Sequence, residues 1–202
     1  MICKITKKKI KPFMSFGKMP IANGFLHKKY FKNEFTFNMQ VGFSKDISLF
    51  QLNDHPAPKL MFNNNYPFFT SSSKYMVKHF KEYAKWIKKK YIKNASNIIE
   101  IGSNDGSFLK NFKSKKTNIL GIEPSKNVSD LANKNGIKTI NKFFNSKISL
   151  NLKKFRKKTN LIIAANAICH IPNLNDLIKG IDNLLAKDGL FIFEEPYLGS
   201  MY

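Results

Sequence analysis

The sequence contains very little cysteine, and this scarcity excludes two kinds of site. Only Cys3 and Cys169 occur in 202 residues, so the chain offers neither a disulfide framework nor a C-x-x-C metal motif. No stretch approaches the ~18 apolar residues of a membrane span, and the opening MICKITKKKIKPF lacks the apolar core of a secretory signal. We therefore expect a soluble protein of a reducing cytoplasm, with no membrane partner.

Arginine and acidic residues are also scarce, which leaves the chain strongly basic. Arg156 is the one arginine, and 35 Lys and Arg residues stand against 13 Asp and Glu residues, for a formal net charge of +22. Such a charge attracts polyanions. A nucleic-acid surface, however, usually concentrates arginine, which binds phosphate through two hydrogen bonds. Because the lysines are spread along the whole chain, a compositional bias is favoured, and a nucleic-acid partner stays open but not favoured.

Residues 1–70 are irregular and rich in Phe, Asn, Pro and Lys, which predicts a small β-rich N-terminal domain. Extended runs at 35–41 and 47–52 alternate with turn signals. The serines at 71–73 then offer N-caps for a helix, and apolar residues recur behind them at steps of three and four. Residues 71–95 are therefore predicted to form a linking amphipathic helix.

Strand and helix patterns alternate over residues 96–202, which predicts an α/β domain with a parallel, doubly wound sheet. The predicted strands are 98–101, 118–122, 138–140, 161–164 and 190–193, and the predicted helical segments are 107–112, 128–135, 146–156 and 176–186. In such sheets, ligands bind beyond the carboxyl ends of the strands. The polar residues that follow each strand are therefore the candidate site residues.

The first predicted strand ends in a short loop whose two glycines indicate a nucleoside site. Gly102 permits a tight turn, and Gly106 lets the next helix begin close to a ligand, with unpaired N–H groups. The second strand ends in Glu123, whose carboxylate suits the two hydroxyls of a ribose. The alternative is that the N-D-G segment of the loop is only a turn.

The residues between the two glycines distinguish one nucleoside cofactor from another. A dinucleotide loop usually reads G-x-G-x-x-G, whereas Ser103, Asn104 and Asp105 stand here. The charge of Asp105 would repel a pyrophosphate but suits the cationic amino group of a methionine moiety. The loop therefore predicts S-adenosylmethionine as the cofactor, and NAD fits it poorly.

Three further residues follow later strands. Phe144 comes after the third strand, where it forms either an apolar wall for an adenine ring or part of an ordinary core. Asn166 and His170 come after the fourth strand, at the ligand edge of the sheet. His170 is a candidate general base or substrate ligand, and the alternative is a structural histidine.

Six collinear segments then carry a family resemblance. They are M-P-I-A-N-G-F-L, N-Y-P-F-F-T-S-S-S, I-I-E-I-G-S-N-D-G-S-F-L, G-I-E-P-S-K-N-V, A-N-A-I-C-H-I-P-N-L-N-D and F-E-E-P-Y-L. Together they resemble the S-adenosylmethionine-dependent sugar C-methyltransferases, which methylate a carbon of a nucleotide-linked deoxy-keto sugar. The resemblance implies a class I methyltransferase (Rossmann-like) fold for residues 96–202.

The resemblance also implies roles for single residues. His170 and Tyr66 would face the sugar pocket, and Phe68 replaces a second tyrosine there. We expect His170 to position the sugar and not to serve as the main base. The base removes the acidic proton beside the keto group, and the resulting enolate carbon accepts the methyl group. The cofactor-binding residues that the resemblance implies are Gly102, Asn104, Asp105, Gly106, Glu123 and Asn166; Ser103, Pro124 and Phe144 complete the predicted cofactor-binding set.

Two departures from the family bear on function. The family's N-terminal domain binds zinc through four cysteines, of which only Cys3 remains here; Thr6, Ser44 and Ile47 occupy the other positions. One thiolate does not make a tetrahedral site, so we predict no metal and a small domain held by Phe-rich packing. The family's catalytic Tyr, Glu and His cluster would follow Tyr202, so we expect a fragment or a shortened relative.

Other functions stay open at this stage. One is an RNA or protein methyltransferase on the same scaffold, which the positive charge favours and which predicts salt-sensitive RNA binding. Another is a non-catalytic, nucleoside-binding remnant. An NAD-dependent oxidoreductase is the least favoured. Whether the chain turns over, and how it oligomerises, is not indicated.

Overall fold

The computed structural model describes residues 1–92 and 96–200, which form two compact units. The first comprises Met1–Phe62 with Pro172–Leu174, and the second comprises Asn63–Ile171 with the residues from Asn175 onward. The division therefore precedes residue 70, the boundary that composition predicted. The last residues of the predicted 71–95 helix, 93–95, lie outside the described part of the chain.

The first unit contains a three-stranded antiparallel sheet. Its strands are β1 (Pro12–Pro20), β2 (Thr36–Ser44) and β3 (Leu49–Leu52), in the order β1-β2-β3. A single turn of helix, α1 (Pro58–Met61), follows. The predicted runs at 35–41 and 47–52 are confirmed within β2 and β3. The pattern gave no sign of β1, whose residues are all exposed and so show no alternation of apolar and polar positions.

A buried amide connects the amino-terminal segment to this sheet. Gln51 on β3 accepts a hydrogen bond from the amide of Lys4 (2.9 Å) and donates one to the carbonyl of Ile2 (3.0 Å). Gln51 is 6% exposed, so both bonds are shielded from water. The Gln51 side chain thus provides hydrogen-bond partners for two backbone groups of the amino-terminal segment, as the backbone of a neighbouring strand would do in a sheet.

Cys3 is also buried, and two of the positions that the resemblance assigns to zinc ligands surround it. The amide of Thr6 lies 3.4 Å from the Cys3 Sγ, and Ser44 contacts the same thiol. Burial raises the pKa of Cys3, but the hydrogen bonds from Thr6, Ile5 and Ser44 outweigh it and lower the pKa to about 7. Among the described residues, no group of three or more His, Cys, Asp or Glu could hold a metal ion; the absence of zinc stays a prediction.

The prediction that Phe-rich packing holds the first unit together is wrong. Its buried hydrophobic side chains are Cys3 and Val41, and Ser44 and Gln51 are buried beside them. Seven of the nine phenylalanines of this unit are exposed, and Phe37 and Phe62 are half-buried, because a small three-stranded sheet has little interior to offer them. The exposed set is Phe13, Phe16, Phe25, Phe31, Phe35, Phe43 and Phe50.

The second unit begins with the predicted amphipathic helix, α2 (Lys74–Tyr91). Ser73 caps it by accepting a hydrogen bond from the amide of Met76 at 3.3 Å, which confirms the predicted serine cap. The buried face of α2 carries Phe80, Ala84 and Ile87. The ring of Phe80 stacks on that of Phe108, with centroids 4.6 Å apart, so the helix packs directly behind the loop that follows the first strand of the main sheet.

The main sheet is parallel, as predicted. Its strands are β4 (Ser96–Ile101), β5 (Thr117–Ile122), β6 (Thr139–Ile140), β7 (Thr159–Ala165) and β8 (Leu185–Glu194), in the order β6-β5-β4-β7-β8. The helices between them are α3 (Lys126–Lys134), α4 (Ser146–Asn151) and α5 (Leu174–Leu184). Ile101 on β4 pairs with Ile122 on one side and with Ala164 on the other, so these strands end level.

The strand order places a topological switch point at β4. The chain runs from β4 outward through β5 and β6, and then returns to the other side of β4 as β7 and β8. The loops after β4 and β7 therefore leave the sheet in opposite directions. This divergence opens a crevice at the carboxyl edge, where ligands of such sheets bind.

Several predicted elements differ from the structure in detail; the helix predicted at 146–156, for example, ends at Asn151. The helix predicted at 107–112 is a short 3-10 helix, Leu109–Phe112. The side-chain Nδ2 of Asn111 donates to the carbonyls of Ser107 and Phe108 and so competes with the helix for these acceptors. The strand predicted at 190–193 begins earlier, at Leu185, which pairs with Thr159 ahead of an irregularity in the register. No helix among the described residues has the length and apolar character to cross a membrane.

Candidate cofactor site

The loop after β4 makes a tight turn that needs backbone in the left-handed region. Gly102, Asn104 and Gly106 have φ values of 72°, 48° and 77°, and glycine and asparagine are the residues that adopt such values most readily. A Cβ on Gly102 would stand 2.6 Å from the Cβ of Ala167. Gly102 therefore permits both the turn and the close approach of the loop that follows β7.

Gly121 on β5 leaves space for the side chain of Ser103, which follows Gly102 in this turn. Ser103 is 2% exposed, and a Cβ on Gly121 of β5 would stand 2.4 Å from its Oγ. The Ser103 Oγ is buried and has no hydrogen-bond partner among the described residues. Ser103 is therefore a buried hydroxyl at the base of the turn.

Glu123 lies at the end of β5, directly beside the turn. Its Oε2 accepts a hydrogen bond from the amide of Asn104 at 3.0 Å, and its Oε1 accepts one from the amide of Ser125 at 2.7 Å. Burial raises the pKa of Glu123, while these two amides act in the opposite direction. Each carboxylate oxygen has one further lone pair, so Glu123 can accept two hydroxyl protons from a ligand.

The side chains of Asn104 and Asp105 are turned toward the segment that precedes α2. Asn104 accepts a hydrogen bond from the amide of Thr70 (3.0 Å) and donates to the carbonyl of Phe68 (2.9 Å). Asp105, 3% exposed, accepts from the amides of Ser71 (2.7 Å) and Ser107 (3.1 Å). Both side chains thus bind the backbone of the segment before α2, and their contact with a cofactor stays a prediction.

The same contacts correct one expectation about the start of the next helix. The sequence predicted unpaired N–H groups behind Gly106, but the amide of Ser107 is bound to Asp105, and Glu100 binds the amide of Leu109. Two buried carboxylates thus occupy the amides that a nucleotide phosphate would use. This arrangement agrees with a cofactor that has no phosphate.

Glu100 adds a third carboxylate beneath the turn. It is 3% exposed, and its Oε2 has no hydrogen-bond partner among the described residues. Burial raises the pKa of Glu100 well above its usual range; the amide of Leu109 opposes this, and the charges of Glu123 and Asp105 reinforce it. Glu100 therefore favours its neutral, protonated form and adds no negative charge for a cationic ligand.

Tyr66 and Pro124 lie near Glu123. The carbonyl of Tyr66 accepts a hydrogen bond from Asn127 at 2.8 Å, and its ring contacts that of Phe68 edge to face at 5.7 Å. Burial raises the pKa of Tyr66, and the charge of Glu123 raises it further. The carbonyl of Pro124 is bound by the side chain of Asn141 at 2.8 Å. The structure thus brings Tyr66 within electrostatic reach of Glu123.

Phe144 is buried and packs against α5. A Cβ on Gly180 would stand 3.0 Å from two carbons of the Phe144 ring, so the absence of a side chain at Gly180 is what admits the ring. Phe144 is 8% exposed. The packing of Phe144 thus agrees with the alternative that it is an ordinary core residue, and its contact with an adenine ring stays a prediction.

The loop after β7 carries the remaining predicted residues, Asn166 and His170. Asn166 adopts a left-handed φ of 52°, and its amide donates to the carbonyl of Glu194 at 2.8 Å. A 3-10 turn, Ile168–His170, then places His170 on the exposed surface at the carboxyl edge of the sheet. Neighbouring protein atoms remove part of the water around the ring and lower the pKa of His170, whereas the charge of Glu195 raises it.

Glu195 is the site residue that the sequence analysis missed. Its Oε1 accepts hydrogen bonds from the amides of Ala167 (2.9 Å) and Ile168 (2.6 Å). The available signal was its position: like Glu123, it is an acid close to the end of a predicted parallel strand, here the second residue after it. The segment from Phe68 to Ser71, which binds Asn104 and Asp105, had no comparable signal because it is distant in sequence.

Comparisons with known proteins place this architecture in a class. A family model described as "Methyltransferase domain" matches residues 75–200. Among solved structures, the chain is similar to the PH0226 protein from Pyrococcus horikoshii OT3 (TM-score 0.55, 15% identity, 66% of this chain and 60% of that chain). It is also similar to the CurJ carbon methyltransferase (TM-score 0.51, 16% identity, 62% and 37%). At these identities, the structural likeness shows the fold alone.

One curated relative is similar over most of this chain. The C-methyltransferase NovU of Streptomyces niveus is 26% identical over 187 residues, which are 92% of this chain and 44% of NovU. The chain thus spans less than half the length of that relative.

The fold is that of the class I S-adenosylmethionine-dependent methyltransferases, as predicted. The chain belongs to the methyltransferase domain family, and its cofactor is S-adenosylmethionine. The residues present fit that cofactor, because Glu123 has free acceptor capacity. Four residues further along the chain, the Oδ1 of Asn127 is buried without a hydrogen-bond partner among the described residues.

Proposed function

We propose that this chain contributes to the methylation of a carbon atom in a nucleotide-linked deoxy-keto sugar. The observation that carries the proposal is the extent of the similarity to NovU, a C-methyltransferase. The alignment covers 92% of this chain, more than the second unit contains, so the likeness includes part of the first unit. A match confined to the cofactor domain would support methyl transfer in general and no particular acceptor.

The residues of the second unit would have separate roles in the reaction. When bound, S-adenosylmethionine supplies the methyl group. Glu123 would accept the ribose hydroxyls, and the negative charge of Asp105 would compensate the positive charge of the cofactor. His170 would lie on the acceptor side, where it positions the sugar. A base that removes the acidic proton beside the keto group leaves a carbon able to accept the methyl group.

The test is an assay of methyl transfer with labelled cofactor. The chain is incubated with S-adenosylmethionine labelled in its methyl group and a nucleotide-linked deoxy-keto sugar, with Glu123→Ala as the matched inactive variant. We expect label in the sugar for the wild type and none above the blank for Glu123→Ala. A chain that binds the product cofactor but transfers no label would instead be a nucleoside-binding remnant.

A nucleic-acid acceptor is the second candidate, and one feature of the first unit favours it. A cavity of about 450 Å³ is lined by Lys8, Lys9, Lys11 and Lys45 together with the rings of Phe13 and Phe43. Lysines beside exposed rings are the components of single-strand binding surfaces, although Lys8 is paired with Asp46 at 2.6 Å. This candidate predicts transfer of label to RNA, and RNA binding that weakens steeply as salt increases.

A further inference from the structure

Two adjacent glutamates at the end of β8 hold the loop that carries His170. The carbonyl of Glu194 accepts the amide of Asn166 at 2.8 Å, and the Oε1 of Glu195 accepts the next two amides, of Ala167 and Ile168. Three consecutive amides of the loop are therefore bound to two consecutive residues. Because β7 and β8 are paired up to Ala165 and Glu194, these bonds extend the register of the sheet into the loop.

The two glutamate side chains have different partners. The Oε2 of Glu194 is bound to His79 on α2 at 2.8 Å. The Oε1 of Glu195 binds the amides of Ala167 and Ile168, and the Cys169 thiol contacts the same carboxylate. Glu195 thus contacts the loop at three consecutive residues.

Charge distinguishes Glu195 from a residue that only caps the loop. A glutamine would accept the amides of Ala167 and Ile168 equally well and would carry no charge into a half-buried position. The carboxylate acts on both side chains at the end of the loop. Burial and the Glu195 carboxylate raise the pKa of Cys169 to about 12. Burial lowers the pKa of His170, and the charge of Glu195 opposes that decrease. Cys169 therefore stays a neutral thiol, and the other nearby carboxylate, Glu194, is bound to His79.

We propose that Glu195 is a positioning residue for His170: it fixes the loop that carries the imidazole through the amides of Ala167 and Ile168. The part of His170 on the acceptor side rests on the proposed function, whereas the fixing of the loop and the effect of charge do not. Glu195 itself need not touch the cofactor or the acceptor.

The test is a histidine titration by nuclear magnetic resonance on the full chain without cofactor or acceptor. Glu195→Gln removes the charge but retains an acceptor for both amides. We expect the titration midpoint of His170 to move to lower pH in Glu195→Gln, while the ring signals of His79 keep their wild-type chemical shifts. Glu194→Gln is the matched control, in which the His79 signals move and the His170 midpoint does not.

A second variant tests the loop separately. In Glu195→Ala, the amides of Ala167 and Ile168 lose their acceptor, so we expect them to exchange hydrogen faster than in the wild type, whereas Glu195→Gln retains their protection. An unchanged His170 midpoint in folded Glu195→Gln, or unchanged amide exchange in folded Glu195→Ala, would overturn the proposal. Neither readout involves methyl transfer, so a failed transfer assay contradicts the proposed function alone.

Discussion

Gly102 and Ala167 join the two loops that meet at the switch point of the sheet, because a side chain on Gly102 would place its Cβ 2.6 Å from the Cβ of Ala167. Gly102 lies in the cofactor turn, and Ala167 lies in the loop held by Glu195. The loop after β4 and the loop after β7 thus approach each other at Gly102 and Ala167, and the space between these residues is too small for a side chain on Gly102.

Replacing Gly102 with alanine should therefore destabilise the chain and weaken cofactor binding. Its φ of 72° costs an alanine roughly 1–3 kcal/mol, and the overlap with Ala167 adds roughly 1–3 kcal/mol. The measurement is urea unfolding. Gly136→Ala is the matched control, since Gly136 has the same φ but only the end of the Lys113 side chain nearby. Equal losses in the two variants would show that the contact with Ala167 is unimportant.

Glu100 should make the chain less stable as the pH rises. Its pKa in the folded protein is raised, so between the unfolded and the folded pKa the native state holds a proton that the unfolded state has released. Stability is then lost with increasing pH, at up to about 1.4 kcal/mol per pH unit for one proton. Glu100→Gln should be stabilised relative to the wild type at high pH and should lack this part of the slope.

The measurement compares urea unfolding of the wild type and Glu100→Gln from acidic to alkaline pH. Other groups also titrate, so the difference between the two proteins is the informative quantity. A difference that stays constant with pH would mean that Glu100 is ionised in both states and that its burial does not raise its pKa.

Asp105 should be needed to hold the segment before α2. Asp105→Ala removes the acceptor of the Ser71 and Ser107 amides, and the loss of such charged hydrogen bonds should cost roughly 2–4 kcal/mol. Hydrogen exchange at the Ser71 amide should accelerate. Asp130→Ala is the control, because Asp130 is exposed and forms only a surface pair with Lys126. Slow exchange at Ser71 in Asp105→Ala would contradict this role.

Gln51 should stabilise the first unit in place of the packing that its phenylalanines do not provide. Gln51→Ala leaves the amide of Lys4 and the carbonyl of Ile2 without their partner, which should cost roughly 2–3 kcal/mol. Faster hydrogen exchange at Lys4 would report the loss within this unit. Gln40→Ala on β2 is the comparison with the same side chain. If both variants leave Lys4 equally protected, the amide contact is not what holds the segment.

The parallel sheet was predictable because its information is local. Each strand of the second unit is a short apolar run, and each is followed by a loop and a helical period, so the alternation alone defines the class. The positions of Gly102 and Glu123 followed from the same pattern, because parallel strands deliver the residues after them to one edge.

The parts that were not predicted depend on contacts distant in sequence. Nothing near Asp105 indicates that its carboxylate binds the amide of Ser71, and nothing near Glu195 indicates Ala167 as its partner. The packing prediction for the first unit was wrong for a related reason. Abundant phenylalanine indicates a buried core only where a second layer of structure covers the sheet. With a single small sheet, the rings stay exposed and a buried amide, Gln51, serves instead.

The most direct test is a calorimetric titration of the chain with S-adenosylhomocysteine, with NADH alongside. We predict binding of S-adenosylhomocysteine in the micromolar range, no binding of NADH, and a Kd weakened by about 10- to 100-fold in Glu123→Ala, as expected for the loss of charged hydrogen bonds to a ribose. Glu82→Ala, on the exposed face of α2, should bind as the wild type does. If the folded wild type did not bind S-adenosylhomocysteine, or if Glu123→Ala bound it equally well, the assignment of the cofactor site would be contradicted.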